Sequence, residues 1–167
     1  MTSQEPSDFW IITGAASGIG AAVTRAVAQA GSKVLALDIN TELGQQLAAE
    51  TGAIYRDCDI SDPEAWDSLI EYLDVNKSVL GTPTKIHLNA GIQIAPPHAP
   101  MSEYQFQAMT LDGYRRMMGV NVDGVVFGLQ ALLPRVASGA AIVVTASLAG
   151  VTPYTVDPLY AMSKHAV

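Results

Sequence analysis

Tyr160 and Lys164 are the two residues whose types and spacing most clearly suggest chemistry. They are four positions apart in the segment Tyr-Ala-Met-Ser-Lys, so both side chains share one face if this segment is helical. A nearby lysine ammonium favours the phenolate form of a tyrosine, and a tyrosine so tuned can act as a general acid or base near neutral pH. Ser147 follows an apolar run earlier in the chain and could hydrogen-bond a substrate carbonyl or hydroxyl. Taken alone, the Tyr-Lys spacing also fits an ordinary surface pair.

A second candidate is the glycine-rich stretch Thr13–Gly20, which reads Thr-Gly-Ala-Ala-Ser-Gly-Ile-Gly. It follows an apolar run and leads into a helical pattern. Glycines permit a tight turn and a close backbone approach to a ligand, while a helix start offers free N–H groups and a positive dipole end to a phosphate. Such loops are common. Asp38 strengthens the interpretation, because an acid about 20 residues after the glycines can bind a ribose diol.

The elements that must position these residues alternate along the chain. Apolar runs predict strands at 9–12, 33–37, 53–58, 85–88 and 141–146, and amphipathic patterns predict helices at 19–30, 41–50, from 61 onward and at 113–136. This alternation predicts an α/β fold: a Rossmann-like, doubly wound parallel sheet with helices on both faces. Ligands bind beyond the carboxyl ends of such strands, where polar or glycine residues follow all five: Gly14, Asp38, Asp59, Asn89 and Ser147.

Three local features carry further expectations. The sequence Ser61-Asp62-Pro63-Glu64 predicts a helix start with Ser61 as the cap. The proline-broken connection 92–111 is long, with room for a helical turn or two after Ser102, and long loops in compact domains are often functional. His87, inside a short apolar strand, is expected to be a packed core histidine rather than a metal ligand.

Composition bounds the class of protein. With 167 residues and a net charge of −7, we expect one domain over 1–167 that binds neither nucleic acid nor anionic membranes. The single cysteine, Cys58, excludes an internal disulfide and a cysteine-based zinc site, and no other cluster has metal-ligand spacing. The N-terminus carries no basic residue, and the apolar region 120–133 is interrupted by polar residues. We therefore predict a cytoplasmic protein without a secretory signal or a membrane span.

Taken together, these motifs resemble the short-chain dehydrogenase/reductase family. The resemblance runs from the first strand to the last residue, in the family's order and at about its spacings. Leu88 departs from the family, which often has asparagine there. The matching residues are Thr13, Gly14, Gly18, Ile19, Gly20, Asp38, Asp59, Asn89, Ala90, Gly91, Asn121, Ser147, Tyr160 and Lys164.

The resemblance implies roles for four catalytic residues. Tyr160 would transfer a proton to or from the substrate oxygen, and Ser147 would stabilise that oxygen. Lys164 would support Tyr160 and hold the nicotinamide ribose. Asn121 would interrupt regular helix bonding locally and hold a water molecule that links Lys164 to solvent.

It also implies a cofactor site, which we predict to bind NAD(H) rather than NADP(H). A carboxylate at Asp38 repels a 2′-phosphate, and neither Ile39 nor Asn40 supplies a compensating positive charge. Asp59 and Ile60 would contact adenine. The predicted cofactor-binding residues are Gly14, Ser17, Gly18, Ile19, Gly20, Asp38, Ile39, Asp59, Ile60, Asn89, Ala90, Gly91, Tyr160 and Lys164.

The predicted function is hydride transfer between NAD(H) and a secondary alcohol or ketone. The alternative is a catalytically inactive NAD-binding module or a truncated fragment, because family members continue well beyond Lys164 and we expect this chain to be C-terminally incomplete. Sugars, polyols, steroids and hydroxyacyl compounds all remain open as substrates. The apolar surface at 122–133 predicts a homo-oligomer, either a dimer or a tetramer.

Overall fold

The computed structural model describes residues 8–96 and 98–167; the expectations for the N-terminal residues 1–7 and for Pro97 lie outside this part. Five parallel strands form one sheet in the order β3-β2-β1-β4-β5. They are β1 (Phe9–Thr13), β2 (Lys33–Asp38), β3 (Ile54–Asp57), β4 (Lys85–Leu88) and β5 (Ala141–Val144). The predicted Rossmann-like parallel sheet is confirmed, although β3 and β5 are shorter than the apolar runs suggested.

Helices connect successive strands, as parallel pairing requires. They are α1 (Gly18–Gln29), α2 (Thr41–Thr51), α3 (Pro63–Val75), α4 (Lys77–Leu80), α5 (Leu111–Met118), α6 (Gly124–Leu132) and α7 (Pro158–His165). Between β4 and α5, the long connection contains two short 3-10 turns, Met101–Tyr104 and Phe106–Ala108. The predicted turns after Ser102 are thus confirmed.

The two faces of the sheet are covered by different helices. Ile11 and Ile12 are both fully buried, but successive strand residues point to opposite faces. Ile11 belongs to the larger core, which includes Leu69 of α3 and Leu132 of α6. Ile12 belongs to a smaller core against α1, where Val23 and other apolar residues pack. The strand ends are therefore held in place from both sides.

Helix α3 begins one residue later than its sequence pattern predicted. Asp62, not Ser61, is the cap, and its side chain accepts a hydrogen bond from the Glu64 amide at 2.9 Å. Pro63 occupies the first helical position, where its fixed φ angle favours this start. Ser61 instead donates its hydroxyl and its amide to Asp59.

The predicted long helix is a composite. A π-helical segment, Gly119–Asp123, joins α5 to α6, and a 3-10 turn follows at Leu133–Arg135. Just before the π segment, Met117 is 1% exposed, whereas Met118 is only partly buried.

By length and composition alone, Leu111–Arg135 could cross a membrane. A core helix meets the same criterion, and this one contributes Met117 and Leu132 to the buried interior. On its outer side Val126 and Leu133 are exposed. The subunit contact expected at this surface stays a prediction.

The packing of α3 leads to the first testable prediction. Leu69 is 1% exposed in the larger core, so Leu69→Ala should lower the free energy of unfolding by about 2–5 kcal/mol, because it removes buried methyl groups and leaves a cavity. Urea denaturation followed by circular dichroism would measure the change. Val75, at the end of the same helix, is 75% exposed, so Val75→Ala should change the free energy of unfolding by less than about 0.5 kcal/mol. Equal losses for the two variants would contradict the assigned core.

Candidate active site

The glycine loop between β1 and α1 depends on residues that tolerate unusual backbone geometry. Gly14 and Gly18 have φ angles of +62° and +51°, a region that favours glycine. A Cβ atom on Gly14 would lie 2.7 Å from the Ala90 Cα atom. Within the described part of the chain, the Ser17 side chain makes no capping hydrogen bond to α1. The first amides of α1 are therefore free to bind an anion.

Asp38 joins the end of β2 to this loop. Its Oδ2 accepts a hydrogen bond from the Ala16 amide at 2.8 Å, and its Oδ1 accepts one from the Asn40 amide at 2.9 Å. A carboxylate has about four acceptor positions, so Asp38 retains capacity for a ligand hydroxyl. Beside it, the Ile39 side chain is 68% exposed.

Polar side chains also connect the ends of β1, β4 and β5. Thr13 Oγ1 accepts hydrogen bonds from the backbone amides of Asn89, at 2.9 Å, and Ala90, at 3.1 Å. The Asn89 side-chain amide donates to the Thr13 carbonyl at 3.2 Å and the Gly14 carbonyl at 3.3 Å. The Thr145 hydroxyl donates to Asn89 Oδ1 at 3.1 Å. These bonds fix three strand ends around one point.

Asn121 occupies the middle of the π-helical segment and is fully buried. Its Oδ1 accepts from the Ile92 amide at 2.8 Å, while its Nδ2 donates to the Ile92 carbonyl and to Ser163 Oγ, each at 2.9 Å. The expected local interruption of helix bonding at Asn121 is confirmed. The side chain thereby ties the composite helix to the loop after β4 and to α7.

Tyr160 and Lys164 lie one turn apart on α7, with the Lys164 Nζ atom 5.8 Å from the centre of the Tyr160 ring. Lys164 is 5% exposed and donates from Nζ to the Thr145 carbonyl at 2.9 Å. Burial lowers the pKa of Lys164, because desolvation disfavours the ammonium. The Tyr154 ring meets Tyr160 edge-on, with centroids 6.5 Å apart.

Two residues that position α7 were missed by the sequence reasoning. Asp157 caps the helix by accepting from the Tyr160 amide at 2.9 Å, and burial raises the pKa of its fully buried carboxyl. Gln105 donates from Nε2 to the Val156 carbonyl at 2.8 Å and so fastens the long connection to this helix start. Asp157 could have been found from the Asp-Pro pair at positions 157 and 158, which is a common helix start. Gln105 carries no such local signal.

Ser147, the remaining predicted catalytic residue, follows β5. It caps the 3-10 turn Leu148–Gly150, and its Oγ accepts a hydrogen bond from the Ala149 amide at 3.1 Å. Because this bond uses only a lone pair, the hydroxyl proton stays available to a ligand.

One cavity of about 850 Å³ is lined by the glycine loop, Asp38, Tyr160 and Lys164. Of the four predicted catalytic residues, Asn121 and Ser147 are not among the described residues that line it. Every predicted cofactor-binding residue lines it except Gly20, whose backbone packs against the Gly14 carbonyl. Among the described residues, no cluster of three or more His, Cys, Asp or Glu side chains is arranged to hold a metal ion. The lining residues that were not predicted are Cys58, Ser61, Ile92, Gln93, Ile94, Ala95, Pro96, Arg116, Val120 and Thr145.

Comparisons with known proteins agree with this geometry. A family model described as short chain dehydrogenase matches residues 9–167. Short-chain dehydrogenase reductase 5 of Arabidopsis thaliana is 35% identical over 168 residues, covering 94% of this chain and 59% of the relative. Cyclohexanol dehydrogenase of Acinetobacter sp. strain SE19 is 30% identical over 168 residues, covering 94% and 61%. The chain thus spans about three fifths of the length of these curated relatives.

The fold of this chain is also similar to that of a solved structure. The crystal structure of a short chain dehydrogenase/reductase from Burkholderia phymatum in complex with NAD aligns with a TM-score of 0.81 and 26% sequence identity. The alignment covers 96% of this chain and 56% of that one.

The buried ammonium of Lys164 predicts a pH dependence. Its pKa in the folded state lies below the ordinary value of 10.5, so between the two values the unfolded chain binds more protons than the folded one. The stability of the wild type relative to Lys164→Met should therefore rise as the pH increases from the folded-state pKa toward 10.5. Urea unfolding at several pH values measures this difference. The control is Lys77→Met, at an exposed position of α4, for which the stability difference from the wild type should not change with pH. A pH-independent stability difference for Lys164→Met would contradict the prediction.

Proposed function

The chain belongs to the short chain dehydrogenase family, and we propose that it transfers a hydride between NAD(H) and a secondary alcohol or ketone, with Tyr160 as the general acid or base. One observation carries the proposal. Tyr160 and Lys164 open into the same cavity as the glycine loop and Asp38. A proton-transferring pair and a nucleotide-binding loop therefore share one space.

The residues of the cavity suit a dinucleotide. Gly14 has a positive φ angle and leaves no room for a Cβ atom beside Ala90, and its backbone lines the cavity. The free amides of α1 would hold the pyrophosphate there. Asp38 would accept hydrogen bonds from the adenosine ribose, and Asp59 with Ile60 would contact the adenine. The cofactor, when bound, supplies the hydride donor or acceptor.

We favour NAD(H) over NADP(H) because of the charge at the ribose end. The Asp38 carboxylate would repel a 2′-phosphate. Its neighbours along the chain are Leu37, Ile39 and Asn40, and these supply no compensating positive charge.

Proton transfer rests on three side chains. The Tyr160 hydroxyl would give its proton to, or take it from, the substrate oxygen. The Lys164 ammonium would stabilise the phenolate. Among the described residues it donates one N–H group to the Thr145 carbonyl, so its other N–H groups would bind ribose hydroxyls. Ser147 would donate its free hydroxyl proton to the substrate oxygen. Asn121 holds the loop after β4 and α7 in register through Ile92 and Ser163.

For the substrate we propose an uncharged alicyclic secondary alcohol or the corresponding ketone. Apart from Asn89 and Gln93, the side chains that the loop after β4 contributes to the cavity wall are apolar, among them Ile92, Ile94 and Ala95. A wall of this kind disfavours a charged substrate. A relative that shares 30% identity is named for cyclohexanol.

Removing the Tyr160 hydroxyl tests the catalytic assignment. Tyr160→Phe should reduce turnover of secondary alcohols by about 10²–10⁴-fold, because the proton acceptor is lost, while NADH affinity stays within about twofold. Tyr154→Phe, the neighbouring ring, is the matched control and should keep its activity. NADH formation across a panel of cyclic and linear secondary alcohols measures turnover, and NADH fluorescence measures binding. If the wild type binds NADH but turns over no secondary alcohol in the panel, the catalytically inactive nucleotide-binding module is supported instead.

Replacing the ribose-binding carboxylate tests the cofactor assignment. Asp38→Ala combined with Ile39→Arg should shift the ratio of NADH to NADPH affinity toward NADPH by about 10- to 100-fold, because a repulsive charge is exchanged for an attractive one. Fluorescence titration with each nucleotide gives the ratio. Glu42→Ala removes a nearby acid that does not line the cavity and should leave the ratio unchanged. An unaltered ratio in the double variant would rule out the assignment.

A further inference from the structure

His87 is a buried polar residue inside an otherwise apolar strand. It lies in β4 between Ile86 and Leu88, pairs in register with Ile12 of β1 and Val143 of β5, and is 6% exposed. The prediction of a packed histidine is confirmed. Its ring is also hydrogen-bonded, since Nε2 lies 2.8 Å from Thr145 Oγ1.

This contact continues into the proposed cofactor site. Thr145 donates its hydroxyl to Asn89 Oδ1 at 3.1 Å, and Asn89 Nδ2 donates to the carbonyls of Thr13 and Gly14. The backbone carbonyl of Thr145 accepts the Lys164 ammonium at 2.9 Å. Thr145 therefore contacts both the residue that holds the glycine loop and the buried lysine.

Counting protons fixes the direction of each bond. The carbonyls of Thr13 and Gly14 can only accept, so the Asn89 side chain must present its NH₂ group to them and its oxygen to Thr145. A carbonyl oxygen cannot donate, so the single hydroxyl proton of Thr145 goes to Asn89. The remaining contact of Thr145 Oγ1 must then be accepted from His87, whose ring carries its proton on Nε2.

We infer that His87 is a positioning residue for the cofactor site: by donating from Nε2 to Thr145 Oγ1, it directs the Thr145 proton to Asn89 and holds the glycine loop and Lys164 in place. This role rests on the proposed function. A ring protonated on Nδ1 alone would accept from Thr145 and leave Asn89 Oδ1 without its donor. Burial lowers the pKa of His87, which favours the neutral ring, and a neutral ring has one N–H.

The decisive comparison is between two replacements of His87. His87→Gln can place an amide N–H near the position of Nε2, whereas His87→Leu fills the site with no donor. We expect His87→Leu to weaken NADH affinity by about three- to tenfold, the effect of losing one neutral hydrogen bond, and His87→Gln to restore at least half of the loss on a logarithmic scale. Thr145→Val combined with His87→Leu should weaken binding no more than Thr145→Val alone. His98→Leu, at an exposed loop position, should have no effect.

Two measurements on the protein without cofactor separate this inference from the proposed function. Nitrogen-15 NMR of the His87 ring should find the neutral tautomer with its proton on Nε2. The Asn89 side-chain amide protons should exchange slowly in the wild type and in His87→Gln, and at least tenfold faster in His87→Leu. A proton on Nδ1, or equal exchange rates in the two variants, would overturn the role of His87 whether or not NADH binds. Failure of the wild type to bind NADH, with the tautomer and exchange as expected, would overturn the proposed function and leave His87 as a positioning residue of this loop.

Discussion

The close approach of the Gly14 backbone to Ala90 is the constraint on which the rest of this structure depends. A Cβ atom at position 14 would lie 2.7 Å from the Ala90 Cα atom, far inside normal contact distance, so the loop after β1 and the end of β4 meet only because residue 14 is glycine. Thr13 and Asn89 then join the same two segments by side-chain hydrogen bonds. These contacts hold the start of α1 beside the cavity, which Gly18 and Ile19 line.

Burying Lys164 imposes a second constraint, of electrostatic origin. An ammonium that is 5% exposed loses most of its hydration, which lowers its pKa. In part the cost is offset by the Thr145 carbonyl. Asn121 links α7, which carries Lys164, to the loop after β4, so the lysine is held by tertiary contacts as well as by its own helix. The positive charge of Lys164 is therefore held near the Tyr160 ring, where the proposed proton transfer requires it.

Much of the fold could be predicted because its signals are local. The apolar runs of β1, β2 and β4 match their observed bounds to within one residue, and α2 extends one residue past its predicted end before Gly52 terminates it in the left-handed conformation. Local patterns failed where neighbours compete. Asp62 displaced Ser61 as the cap of α3 because Pro63 and Asp59 favour that arrangement. The π-helical segment around Asn121 altered the phase of a helix that the periodicity treated as regular.

The amino-acid sequence by itself determined the succession of strands and helices along the chain, the glycine loop and the spacing of Tyr160 and Lys164. Each of these depends on residues close together in the chain. Only the tertiary structure decided which polar groups meet. His87 and Thr145 are 58 residues apart, and the burial of Asp157 depends on segments packed against it. A hydrogen bond between distant residues leaves no periodic signal, because its partner is chosen by how the elements pack.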